Sequence, residues 1–206
     1  IPENAKLMLT FGFGSVKKNG VYDQVVKALE GREYIEFWGI EPNPHVETLR
    51  KAIELGKESN IDYVLAVGGG SVLDGTKLIA CGLASDKDAW DIVLKGYYKA
   101  QTPYASVMTV PATGSEMNRG AVITRNETKE KYSFASQYPQ FSILDPEVTY
   151  TLSEHQVACG LADAYIHVIE QYLTTPEQSR LMDRWSEGIL QTIIEIAPKI
   201  KENPQD

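Results

Sequence analysis

Cysteine and histidine are scarce: the chain has two Cys and three His among 206 residues. Cys81 and Cys159 are far apart in sequence and belong to no disulfide framework or zinc-ligand pattern. That usage fits a reducing compartment, so a cytoplasmic location is expected. Positive charge is also short, with 20 Lys and Arg against 28 Asp and Glu and a formal net charge of -8. A nucleic-acid-binding domain normally has the opposite balance, so nucleic acid is not an expected partner. No apolar run approaches the roughly 20 residues of a membrane-spanning helix. The opening Ile1-Pro2-Glu3-Asn4 leads into no basic or apolar targeting segment, and it reads as the start of a piece of a longer protein. Internal repeats and low-complexity tracts are absent as well.

The rest is globular in composition, 43% hydrophobic and 23% charged, and long enough for one large domain or two small ones. Strand-like and helix-like segments alternate along the first part. Residues 6–11 read as a strand stopped by Gly12, 20–29 as an amphipathic helix closed by Gly31, and 34–40 as a second strand. A loop with Pro42 and Pro44 leads into a helix that runs to about Ser59. Residues 63–67 are wholly apolar, as in a strand buried on both faces, and a helix over 71–83 follows three glycines. Residues 105–110 form another apolar strand. This alternation predicts an α/β fold with a parallel, Rossmann-like sheet. The pattern changes near Asp145-Pro146: two helices are expected, over 153–173 and from Pro176 to about Lys201. Ser153 with Gln156 forms a capping-box signature for the first of them. A boundary near residue 150 therefore separates an α/β domain, 1–150, from the opening of an all-α domain, 151–206, which is incomplete because two helices bury a core poorly.

Four motifs carry chemistry. In Gly68-Gly69-Gly70-Ser71-Val72-Leu73-Asp74-Gly75-Thr76-Lys77 a buried strand passes through glycines into a helix. The backbone there can approach a ligand closely, and the helix start offers free N–H groups to a pyrophosphate, with Ser71 suited to the N-cap. A tight strand–helix turn is the alternative. Thr10-Phe11-Gly12-Phe13-Gly14-Ser15-Val16-Lys17-Lys18 follows the first strand and has no acid to bind a ribose 2′-hydroxyl. Gly12, Ser15, Lys17 and Lys18 instead suit a 2′-phosphate, which favours NADP(H) over NAD(H); a solvated loop with surface lysines is the other reading. Asp163 and His167, four apart on a helix, share a face and can bind one divalent cation, or they are simply surface neighbours. Glu170 reads as a surface charge, and His45 and His155 as histidines without evident partners. Finally, Thr109-Val110-Pro111-Ala112-Thr113-Gly114-Ser115-Glu116 puts small hydroxylated residues after a buried strand, suited to a sugar, a phosphate or a helix cap.

Together with Glu41-Pro42-Asn43-Pro44 and the block from Gly160 to Tyr172, these motifs resemble the iron-containing (group III) alcohol dehydrogenases. The branch of NADPH-dependent butanol dehydrogenases and aldehyde reductases looks closest. The resemblance spans essentially the whole chain, in the family's order. It implies a dehydroquinate synthase-like nucleotide domain followed by a helical metal-binding domain. Gly69, Gly70 and Ser71 would hold the pyrophosphate, Asn43 and Asp74 would line the cofactor cleft, and Thr109, Thr113 and Lys131 would contact the dinucleotide. Asp163 and His167 match the first two ligands of a divalent metal, Fe2+ or Zn2+. The implied activity is hydride transfer between NADP(H) and a small alcohol or aldehyde, and the whole protein would be a homo-oligomer. The family's two later histidine ligands have no counterpart here, so the chain reads as a fragment without activity of its own. Two other readings stand beside this one. The first is a same-fold enzyme such as dehydroquinate synthase or glycerol-phosphate dehydrogenase, disfavoured because no basic cluster adjoins Asp163 and His167. The second is a non-catalytic nucleotide-binding module.

Overall fold

The structure, a computed structural model, describes residues 1–174 and 179–203. The first part runs β1 (Leu7–Phe11), α1 (Ser15–Lys18), α2 (Val21–Ala28), β2 (Tyr34–Phe37), α3 (Val46–Glu58), β3 (Tyr63–Gly68) and α4 (Gly70–Leu83). It continues with α5 (Ala89–Leu94), β4 (Tyr104–Met108), β5 (Gly120–Arg125), β6 (Glu130–Ala135) and β7 (Ser142–Leu144). The helices α6 (Glu154–Thr174) and α7 (Arg180–Glu202) complete the order. The helix start expected at Pro176 lies outside the described residues. No helix among the described residues is long and apolar enough to cross a membrane.

Five strands form one parallel sheet in the order β2-β1-β3-β4-β7. Every residue of β1, β3 and β4 is buried, which explains why these segments read as continuous apolar runs rather than alternating ones. Helix α4 lies against β3 and beside α3, with ten of its residues buried. Its apolar side chains join Met8, Val46, Leu49, Val64 and Ala66 in one core. The strand order fixes where a ligand can sit. From β1 the chain moves outward to β2, then returns to the other side of β1 as β3. Open α/β sheets bind ligands at such a reversal, beyond the carboxyl ends of the strands. Phe11 pairs with Val67, so the Gly12 loop and the Gly68 turn emerge side by side.

Five elements lie outside the segments that the sequence pattern marks. They are α1, α5, the three-residue β7 and the antiparallel β5–β6 hairpin, which packs on α4 and α5. The hairpin buries Ala121, Ile123 and Phe134. Two compact units result: Ile1–Thr109 with Gly114–Asp145, and Val110–Thr113 with the described residues from Pro146 onward. The first unit ends at Asp145, where the sequence pattern changes, and the short Val110–Thr113 segment groups with the helices. In the second unit α6 packs on α7, yet neither helix has a buried residue. A groove of about 540 Å³ runs along the pair, lined by Val157, Leu161, Ile193 and Ile200 among others. The capping box at the start of α6 is formed: Gln156 N donates to Ser153 Oγ (3.2 Å) and Ser153 N to Gln156 Oε1 (3.3 Å).

Candidate functional site

The turn between β3 and α4 is shaped by sterics. A Cβ built on Gly68 would lie 2.6 Å from Val72 Cγ2 and 2.9 Å from Val72 Cβ, so this position has no room for a side chain. Gly69, not Ser71, is the N-cap of α4; its backbone is extended, and no side chain caps the helix. Ser71 is displaced one turn-step into the helix because the chain already becomes helical at Gly70. Its hydroxyl instead accepts from Asn43 N at 3.4 Å. The consequence is chemical: the first-turn amides have no side-chain acceptor, and the first turn carries no acid. Such a helix start attracts an anion.

Around this turn the loops converge. Asn43 has φ 55°, a left-handed conformation that Asn tolerates, and its Oδ1 accepts from Lys131 Nζ at 2.7 Å. Lys131, Asn43 and Ser71 therefore form one polar chain. Asp74 accepts from Ser115 Oγ (2.6 Å) and from Val122 N (2.9 Å), which ties α4 to the loop after β4 and to β5. Burial raises its pKa, opposed by those two hydrogen bonds and by Lys77 and Lys131. Thr109 is buried at the end of β4, and its N–H donates to Gly68 O at 3.0 Å. Beyond β1, Gly12 O accepts from Gly39 N at 3.1 Å, while Gly14, at φ 97°, turns the chain into α1. Ser15, Lys17 and Lys18 are exposed on that short helix. The first unit thus brings together Gly12, Ser15, Lys17, Lys18, Asn43, Gly69, Gly70, Ser71, Asp74, Thr109 and Lys131 at the carboxyl end of its sheet. Thr113 lies in the second unit, on the Val110–Thr113 segment.

Two contributors are missing from the sequence reading. Lys77 is fully buried, and its three ammonium N–H groups are shared among Ser115 O (2.8 Å), Ser115 Oγ (2.8 Å), Asn118 Oδ1 (3.1 Å) and Gly120 O (2.5 Å). Burial pushes its ammonium down to about 8, with Asp74 and Glu116 pulling the other way. Trp38, just after β2, stacks on Phe11 at 4.1 Å and lies under Lys17. Its place beside Lys17, 21 positions earlier in the chain, is announced by no periodicity.

In the second unit, Asp163 and His167 share a face of α6, with Oδ2 and Nδ1 3.8 Å apart. Asp163 Oδ2 is covered and has no hydrogen-bond partner. Two donors each about 2.1 Å from one tetrahedral cation stand about 3.4 Å apart, so a small side-chain adjustment closes this pair on a metal. Among the described residues no group of three or more His, Cys, Asp or Glu gathers there or elsewhere. The other histidines do have neighbours, contrary to expectation: His45 Nδ1 lies 3.8 Å from Glu41 Oε1, and His155 Nε2 3.6 Å from Cys159 Sγ.

Comparison with known proteins agrees with this architecture. The family model described as iron-containing alcohol dehydrogenase matches residues 2–146. The NADPH-dependent aldehyde reductase YqhD of Escherichia coli is 49% identical over 100% of this chain and 55% of its own length. The probable NADH-dependent butanol dehydrogenase 1 of Bacillus subtilis is 48% identical over 97% of this chain and 53% of its own. A crystal structure of the Escherichia coli K-12 YqhD protein superposes with a TM-score of 0.96, covering 100% of this chain and 54% of that one at 49% identity. The NADH-dependent butanol dehydrogenase A of Thermotoga maritima gives 0.92 at 41% identity, over 98% of this chain and 52% of that one. The chain therefore spans about half the length of the relatives it matches, and it belongs to the iron-containing alcohol dehydrogenase family.

Proposed function

We propose that this chain is the coenzyme-binding part, with the opening of the metal-binding part, of an oxidoreductase that moves hydride between NADP(H) and a small alcohol or aldehyde. The observation that carries the reading is the uncapped, acid-free start of α4 at the point where the strand order reverses, next to a β1 loop with two lysines and no acid. Gly69, Gly70 and Ser71 hold the pyrophosphate through backbone amides. Asn43, Asp74, Thr109 and Lys131 line the dinucleotide, and Thr113 is a further contact residue. Gly12, Ser15, Lys17 and Lys18 surround the 2′-phosphate. The relatives named for aldehyde reduction and butanol oxidation support the substrate class, and they include both NADPH- and NADH-named proteins. The coenzyme preference therefore rests on this chain's own β1 loop. Asp163 and His167 are the metal-holding residues, supported by the covered, unpartnered Asp163 Oδ2. Fe2+ or Zn2+ bound there supplies Lewis acidity at the substrate oxygen, and the nicotinamide supplies hydride.

Calorimetric titration with NADPH and with NADH tests this. NADPH is expected to bind at least tenfold more tightly, the worth of one charge-assisted phosphate contact of about 1.5–3 kcal/mol. Equal affinities overturn the coenzyme preference and leave the dehydrogenase reading; no binding of either overturns the nucleotide site.

A further inference from the structure

Between the β1 loop and the end of β2 lies an aromatic cluster of which the coenzyme reading uses only Lys17. Phe11, fully buried, stacks on Trp38 with ring centroids 4.1 Å apart and planes at 13°. Tyr22 leans on both rings, at 5.8 Å from Phe11 and 5.7 Å from Trp38. Lys17 Nζ stands 4.3 Å from the Trp38 ring centroid and 4.8 Å from that of Tyr22. Glu36, the one acid of β2, accepts from Tyr22 OH and from Trp38 Nε1, each at 2.7 Å. The Tyr22 hydroxyl is correspondingly hard to ionise, pushed up to about 12 first by its hydrogen bond to Glu36.

These contacts have a joint effect. A lysine on an exposed four-residue helix would ordinarily sample many rotamers, and ordering it on a ligand has an entropic cost. Two aromatic faces hold the ammonium by cation–π attraction, and its remaining donors stay free. The nearby carboxylate is turned toward Tyr22 OH and Trp38 Nε1, one donor from each aromatic residue, rather than toward Lys17. The aromatic residues that place the cation thus also hold the carboxylate.

We infer that Trp38 and Tyr22 are positioning residues for Lys17, and that together with Glu36 they set this chain's preference for a 2′-phosphorylated dinucleotide. The inference rests on the coenzyme reading above. It deepens that reading by making the preference depend on two aromatic residues that need not touch the coenzyme.

The test is the ratio of NADPH to NADH affinity, measured by titration calorimetry on the wild-type chain and on Trp38→Leu, Tyr22→Phe and Lys17→Met. In Trp38→Leu the Kd for NADPH is expected to rise about two- to fivefold, the range of one exposed cation–π contact, with NADH unchanged. Lys17→Met should lose at least as much, again for NADPH alone. Tyr22→Phe keeps its ring and releases Glu36, so its loss should be smaller and should grow at low salt. Loss of both coenzymes in equal proportion in Trp38→Leu would mean a merely structural role and would overturn the inference. So would a wild-type preference for NADPH that Trp38→Leu leaves intact, and in that case the coenzyme reading survives. A wild-type chain that binds both coenzymes equally overturns both.

Discussion

Lys77 is the residue on which the proposed coenzyme end of the first unit turns. Its ammonium holds four acceptors of the loop after β4, and Ser115 passes its own hydroxyl proton toward Asp74 at 2.6 Å. A buried cation and a half-buried carboxylate are thus joined through one hydroxyl. Removing one partner of a buried charge pair usually costs more than the pair contributed. Lys77→Met is therefore expected to lower the unfolding free energy by about 3 kcal/mol, read from urea denaturation near pH 7. The pH dependence has a definite sign. The folded state holds the Lys77 ammonium with a pKa near 8, against an ordinary value of 10.5 in the unfolded chain. Below pH 8 both states carry the proton and the folded state bears the cost of burying the charge. Between the two values the unfolded chain binds more protons, so this contribution to stability rises with pH, by at most about 1.4 kcal/mol per unit. The difference between wild type and Lys77→Met should accordingly widen from pH 8 to pH 10; a difference that narrows would contradict the buried, charged lysine.

At the scale of the element, the β3–α4 junction makes the clearest demand. Gly68→Ala would push a methyl group against Val72, and either the turn or the first turn of α4 must shift. The expected cost is about 1–3 kcal/mol, the range for overpacking a tight site, together with weaker NADPH binding. Val72→Ala in the same chain should restore part of both, by thermal unfolding and titration, because it removes the Cγ2 contact at 2.6 Å and leaves the Cβ contact at 2.9 Å. This junction was also the most legible part of the sequence. Residues 63–67 are apolar without alternation and end in three glycines, a combination that a buried strand running into a helix satisfies and few other structures do. The β1 and β4 runs and the Ser153–Gln156 cap were readable for similar local reasons. Other elements were not. In β6 the stretch Lys131–Ser133 is exposed and only Phe134 is buried, so no apolar pattern marks the strand. Helix α5 is set by Asp88 Oδ1 accepting from Trp90 N at 2.9 Å, and α1 by a left-handed Gly14, signals too short for a period to show. Within the site, residue types were legible but contacts were not. Lys77 meets Ser115 across 38 positions, and Lys17 meets Trp38 across 21.

Across the whole molecule, the burial of the two units is unequal. The first encloses a continuous core, whereas α6 and α7 bury no residue, and Trp185 and Ile194 of α7 are 59% and 60% exposed. Apolar burial is the main source of stability, so the helical unit should melt first. Unfolding followed by helical circular dichroism should then show two transitions rather than one. Each proposed ligand supplies a separate handle on them. Of the coenzyme residues, Thr113 alone lies in the second unit, so NADPH at about one hundred times its Kd should raise the upper transition by about 8 °C and the lower one far less. Zn2+ should raise the lower transition by a smaller amount, because two protein donors bind a cation more weakly than the three or four of ordinary sites. Asp163→Ala should abolish the zinc shift and leave the NADPH shift in place. A single transition that both ligands move together would instead mean that the two units fold as one, and a zinc shift that survives Asp163→Ala would remove Asp163 from the metal site.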